Sequence, residues 1–248
     1  MDYEQKTRDE LAAWEQRFFK PPGWLEKTSK SIGKRINDML PPKVHNIITV
    51  TIKSIVNTAL FGAEYTPRRP VMRKHTLEQA DQEAKRLFAL YQKIAVAEGA
   101  GTGAGGFMLS VADFPALIAI KMKYLFELAH VYGYDTSFFT ERVFVLKVFQ
   151  MAFSGPEQRG KLLEDIKNWD IANKLPVPDA EYAASMDWET FQKEYRDAID
   201  FRKMLQMVPG IGAVAGAWAN YTILEELNEA AANAYRLRRL NGASGSGI

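Results

Sequence analysis

Apolar positions along the chain recur at three- and four-residue steps, and no run alternates long enough to suggest a sheet. In TLEQADQEAKRLFALYQKIAVAEG, the residues Leu77, Ala80, Ala84, Leu87, Phe88, Tyr91, Ile94 and Ala95 fall on one stripe of an amphipathic helix. Thr76 and Gln79 stand at capping-box spacing and set its start. SGPEQRGKLLEDIKNW follows the same logic, with Ser154 as N-cap, Pro156 in the first turn and Glu157 at the box position. Asp187 can cap WETFQKEYRDAIDFRKML. HNIITVTIKSIVNTALFG is rich in β-branched residues, which makes a strand its rival. Yet Val44, Ile47, Ile48, Ile52, Ile55, Val56, Ala59 and Leu60 keep helical spacing, and a helix is predicted. The last long helix should end at RLRRLNG, where cations suit the negative end of the helix dipole and Gly242 offers a stop. The predicted fold class is all-α, a multi-helix bundle.

Proline breaks at Pro21–Pro22, Pro41–Pro42, Pro67, Pro70, Pro176 and Pro178 read as joints between helices. They divide the chain into a basic, aromatic helical region (1–75) packed on or flanking a helical core (76–240), with a disordered tail (241–248). Charge follows the same division: residues 1–75 hold 14 Lys/Arg against 8 Asp/Glu, and the remainder 18 against 22. A basic first third suits anionic lipid, nucleic acid or an acidic protein, or is an ordinary solvated surface. Nucleic acid is disfavoured because apolar residues interrupt the cations.

GTGAGG, residues 101–106, matches the spacing of a dinucleotide-binding turn. That turn needs a strand before it, a helix after it and an acid about twenty positions on. Here an amphipathic helix precedes, Asp113 comes far too soon and Glu127 has no strand to carry it, so no nucleotide cofactor is expected. The same letters place Gly99 and Gly103, and Thr102 and Gly106, four apart. VPGIGAVAGAWANY offers a second small face at Gly212, Gly216 and Asn220. Two smooth faces suit a close helix pair at the centre of the bundle. Five glycines within residues 99–106 would cost a helix roughly 4–5 kcal/mol relative to alanine, so tight packing must offset the loss or the segment is a loop.

Both segments sit in long stretches almost free of charge: 99–120 carries only Asp113, and 204–224 carries nothing charged. Each matches a bilayer span in length, but Gly/Ala content, Pro115, Pro209, Asp113 and Asn220 weaken insertion. A buried hairpin, or one dipping into a single leaflet, fits better. WEQRFFKPPGWLEKTSKSIGKRINDML adds Trp14, Phe18, Phe19 and Trp24 beside Lys27, Lys30, Lys34 and Arg35. Aromatics and cations in that mixture suit a helix lying in the membrane interface; a core-facing amphipathic helix fits equally. The charged start MDYEQKTRDE has no apolar signal region, which favours the cytoplasm.

The stretches AEGAGTGAGGFMLSVADFPALIAIKMKYLFELAHVYGYD and VPGIGAVAGAWANYTILEELNEAAANAYRLRRL, in that order, resemble the EcsC family of bacteria. The resemblance implies an all-helical protein associated with the Ecs ABC-transporter system. It supplies no catalytic residues.

The residues themselves point to no reaction. The chain has no cysteine, which excludes disulfides, thiolate metal sites and a cysteine nucleophile. Glu127 and His130 stand at the E-x-x-H spacing of helical di-iron sites, but no second copy exists, and a structural histidine is the expectation. Asp113 reads as the N-cap of FPALIAI, or alternatively as a carboxylate in an apolar hairpin; Arg236 is a candidate polar contact. The sequence therefore predicts a non-catalytic accessory protein at the inner membrane face, without cofactor or metal. Its expected partners are transporter subunits or another membrane protein, with anionic lipid as a further surface. The alternative is a soluble enzyme or ligand-binding protein with a pocket between the glycine-rich helices.

Overall fold

The structure, a computed structural model, describes residues 2–19, 42–61, 65, 67–102, 114–154, 156–172 and 213–245. These residues form eight helices and no strand: α1 (Tyr3–Phe18), α2 (Pro42–Phe61), α3 (Leu77–Thr102), α4 (Phe114–Val131), α5 (Phe139–Phe153), α6 (Pro156–Lys167), α7 (Trp169–Ala172) and α8 (Ala213–Gly245). The all-α class predicted from periodicity holds.

Helix α5 is the axis. Eleven of its fifteen residues are buried, from Phe139 round to Phe153, so it has no solvent face. Helices α2, α4, α6 and α8 surround it. The stripe on α2 explains why a β-branched segment is helical here: Ile52, Ile55, Val56, Ala59 and Leu60 are all buried at that spacing. Burial of one helical face outweighs the modest rotamer penalty of branching.

The two longest helices, α3 and α8, form the most extensive pair. They run antiparallel, because Asp81 near the start of α3 meets Arg236 near the end of α8, while Phe88 further along shares a cleft with Asn228. Helix α1 lies over their seam and buries Leu11 and Trp14. The capping box forms as its spacing predicts. Gln79 Oε1 accepts the Thr76 N–H at 3.0 Å, and Thr76 Oγ1 accepts the Gln79 N–H at 3.2 Å.

Three local expectations change. Ser154 ends α5 instead of starting α6: its Oγ donates to the Met151 carbonyl at 2.9 Å. Pro156 does open α6, as its fixed φ favours. Gly242 does not stop the last helix, which continues to Gly245, so the first part of the expected disordered tail is helical. A Cβ added at Gly242 would meet nothing within 4 Å. Gly242→Ala should therefore raise stability by about 0.5–1 kcal/mol, measurable as a higher urea midpoint at unchanged slope. Asp187, Gly103, Gly106, Gly212, Asp113, Trp24, Lys27, Lys30, Lys34 and Arg35 lie outside the described residues. Among the described residues, no helix is long and apolar enough to cross a membrane.

Candidate functional site: a cleft over a buried carboxylate

Asp81 sits on the apolar stripe of α3, one position past Ala80, and is 2% exposed. A carboxylate there must be matched, since an unpaired buried charge is very costly. Three elements supply the match. Tyr3 of α1 donates its hydroxyl to Oδ2, and Tyr132, just beyond α4, donates to Oδ1, each at 2.6 Å. Arg236 of α8 places Nε 3.0 Å from both oxygens and a terminal nitrogen 2.9 Å from Oδ2. Burial, and then the bond and charge of Asp81, push both tyrosine hydroxyls well above the ordinary phenol range, so they stay donors. Burial works against the charge on Arg236, but the bond to Asp81 and its charge hold the proton more firmly than usual.

This saturation decides the chemistry. Both oxygens of Asp81 are already accepting, and the guanidinium is occupied by them. The cluster is a joint between α1, α3, α8 and the end of α4. Above it opens a cleft of about 390 Å³ between α1, α3 and α8, with Trp14, Ala84, Phe88 and Ala232 as its apolar lining. Lys85, Arg17 and Glu229 stand among its polar groups, the last two paired at 3.2 Å.

A second knot surrounds Arg238, 4% exposed. Its guanidinium bonds Glu141 of α5 at 2.7 and 2.9 Å and Asp170 of α7 at 3.1 and 3.2 Å. Its flat faces meet the rings of Tyr134 at 3.9 Å and Phe144 at 4.2 Å. Burial pushes the Tyr134 hydroxyl up to about 12, although Arg238 opposes the shift. Arg239 donates to the carbonyls of Tyr132 at 2.9 Å and His75 at 2.6 Å. The arginines of RLRRLNG thus serve as joints to neighbouring elements, not as counter-charges to their own helix end.

His130 is structural. Its Nδ1 faces the Arg69 carbonyl at 2.8 Å, and a carbonyl only accepts, so the proton is on Nδ1. Nε2 then accepts from the Thr136 hydroxyl at 2.9 Å. Glu127 is engaged elsewhere, accepting from Tyr91 at 3.2 Å and lying 3.6 Å from the Arg69 guanidinium. No group of three or more potential metal ligands occurs among the described residues.

Of the residues singled out from sequence, Arg236 reaches the site. Gly99 lies in the last turns of α3, and Gly216 and Asn220 in the first turns of α8. The aromatic set expected to face lipid divides. Trp14 is 3% exposed within the core and cannot face a membrane, because the seam of α3 and α8 covers it. Phe18 is half-buried, tilted against Trp14 at 5.0 Å and under the Arg159 guanidinium at 4.9 Å. Phe19 is exposed. Sequence reasoning missed Asp81, although a charge between Leu77, Ala80 and Ala84 was the available signal.

A profile of the EcsC protein family matches residues 5–240. Protein EcsC of Bacillus subtilis (strain 168) is 39% identical over 241 residues, covering 97% of this chain and 98% of its own. The uncharacterized protein YdbA of the same bacterium is 31% identical over 169 residues, 68% of this chain and 61% of its own. No solved structure matches the chain.

Proposed function

Since the chain belongs to the EcsC protein family, we propose that it is a non-catalytic helical accessory protein at the cytoplasmic face of the membrane, working with an ABC-transporter system. The observation that carries this reading is where the charge goes. Arg236 and Arg238 of the last helix turn inward and are neutralised by Asp81, Glu141 and Asp170. Among the described residues of the first third, Arg8, Lys53, Arg68 and Lys74 are exposed. Positive surface over a neutralised interior suits a protein held at an anionic face.

Fractionation of bacterial membranes tests the proposal. The protein is expected in the membrane pellet, released by high salt or carbonate, and recovered with transporter subunits after mild cross-linking. Complete recovery in the soluble fraction at low salt would exclude it.

The glycine faces belong to the same reading. The register set by Asp81 with Arg236, continued along two antiparallel helices at 1.5 Å per residue, brings Gly99 level with the turn holding Gly216 and Asn220. This supports close contact between the two glycine-bearing ends, away from the arginine joints.

One observation favours a second reading, binding of a small ligand. The 390 Å³ cleft falls within the usual size of ligand pockets, and its apolar lining carries polar groups at the edge. Bulky substitution at Ala84, which lines it, would abolish a ligand's thermal stabilisation under this reading and leave membrane recovery unchanged under the first.

A further inference from the structure

We propose that the edge of the bundle formed by residues 67–76, the turn 133–138 and the end of α2 is the surface that meets an anionic bilayer. The inference rests on the membrane reading above and assigns it a place.

The edge is built as one unit. Residues 67–76 are pinned by the Arg69 carbonyl on His130, by the Met72 N–H on the His130 carbonyl at 2.8 Å, and by Arg73 on Asp135 at 2.8 Å. Asp135 is partly buried, which works against its charge. Hydrogen bonds from Ser137 and the charge of Arg73 nevertheless hold it below its ordinary range. Arg142 staples the third part, donating to the Leu60 carbonyl at 2.5 Å and the Ser137 carbonyl at 2.6 Å. The residues that follow those two carbonyls are Phe61 and Phe138.

Both phenylalanines stand out: Phe61 is 59% exposed and Phe138 55%. Large apolar residues exposed singly are ordinary, and Val50, Leu90, Val96 and Ile171 are of that kind. Two exposed aromatics, each following a carbonyl that one guanidinium holds, are not. On the 67–76 segment, Arg73 is met by Asp135, while Arg68 and Lys74 are exposed with no carboxylate partner among the described residues. Aromatic rings at headgroup depth with cations toward lipid phosphate are the chemistry of an anionic membrane surface. A protein partner would need shaped pockets for both rings as well as acidic complement; an anionic bilayer supplies the charge and needs no pockets. Anionic lipid is therefore the occupant.

The position also separates this edge from the glycine-bearing ends. It gathers the C-terminal ends of α2, α4 and α8 and the N-terminal ends of α3 and α5, whereas Gly99 and Gly216 lie at the opposite ends of their helices. The two membrane-facing ideas thus make opposite predictions.

Co-sedimentation of the full chain with phosphatidylglycerol–phosphatidylcholine vesicles, and with pure phosphatidylcholine vesicles, provides the test. Two variants are used: Phe138→Ser, and Arg68→Glu with Lys74→Glu. Phe138 is the N-cap of α5, extended and without a side-chain capping bond, so serine suits the position and the fold should persist, checked by circular dichroism. The wild type is expected to bind the anionic vesicles and release them as salt rises. The double charge reversal should weaken binding by more than about tenfold, and Phe138→Ser by about three- to tenfold. Wild-type binding with both variants unaffected overturns this edge while leaving the membrane reading intact, and points to the glycine end. Equal binding to neutral vesicles overturns the anionic specificity. No wild-type binding to any vesicle, with membrane recovery only when transporter subunits are present, overturns lipid as the occupant in favour of a protein. Absence from both vesicles and cell membranes overturns the membrane reading itself.

Discussion

Arg238→Ala should lower the unfolding free energy by about 3–5 kcal/mol, among the largest losses expected from a single substitution in the last helix. The change removes one buried cation and strands two carboxylates that α5 and α7 bring to it. Glu141, with 15% side-chain exposure, suffers more than Asp170, which at 46% can recover water. Two aromatic faces also lose their cation, worth up to about 2 kcal/mol where the group is dry. Arg238→Lys should recover only part of the loss, because an ammonium cannot bond two carboxylates in a plane while lying between two rings. Arg238→Met with Glu141→Gln should recover more than lysine does, since it removes the more deeply stranded of the two carboxylates and keeps a flexible apolar stem between the rings. Urea unfolding at matched slopes is the measurement. A loss under 1 kcal/mol for alanine would mean that the knot is solvated in solution and carries no stability.

That knot also shows what a sequence can and cannot disclose. The helices themselves were legible: the stripe from Leu77 to Ala95, the Thr76–Gln79 box and the spacing under the β-branched run on α2 are local patterns, and local geometry satisfied them. The roles of polar residues were not. RLRRLNG looked like counter-charge for a helix end because nothing local says that Glu141 and Asp170, far off in the chain, arrive beside it. Ser154 fits a cap on either side of a break, and only the Met151 carbonyl decides which helix it ends. Trp14 has the amphipathic neighbourhood of an interfacial residue, yet the seam between α3 and α8 is the apolar surface it finds first. Asp81 was the one polar site that could have been read, because a charge inside an alanine- and leucine-lined stripe demands a partner. Finding that partner needed the antiparallel register of α3 and α8.

The register makes Asp81 the second large prediction. Asp81→Ala leaves the Arg236 guanidinium, with 15% side-chain exposure, and two phenol hydroxyls without their common acceptor; it should cost about 3–5 kcal/mol. Arg236→Ala leaves a carboxylate with 1% side-chain exposure held by the two phenols alone, and should cost a similar amount. Removing both charges is a different experiment. Asp81→Leu with Arg236→Leu strands no ion, so its cost should fall well below the sum of the single losses, with a coupling of about 2–3 kcal/mol. Tyr132→Phe added to that pair should recover about a further 1 kcal/mol, because it removes a buried hydroxyl whose acceptor has gone. Additivity within about 0.5 kcal/mol would show that the four groups act separately and that the joint does not exist in solution. Coupling, by contrast, separates two roles that sit side by side. If the apolar double variant folds and still reaches the membrane, the carboxylate and guanidinium hold helices together, and recognition belongs to the surface.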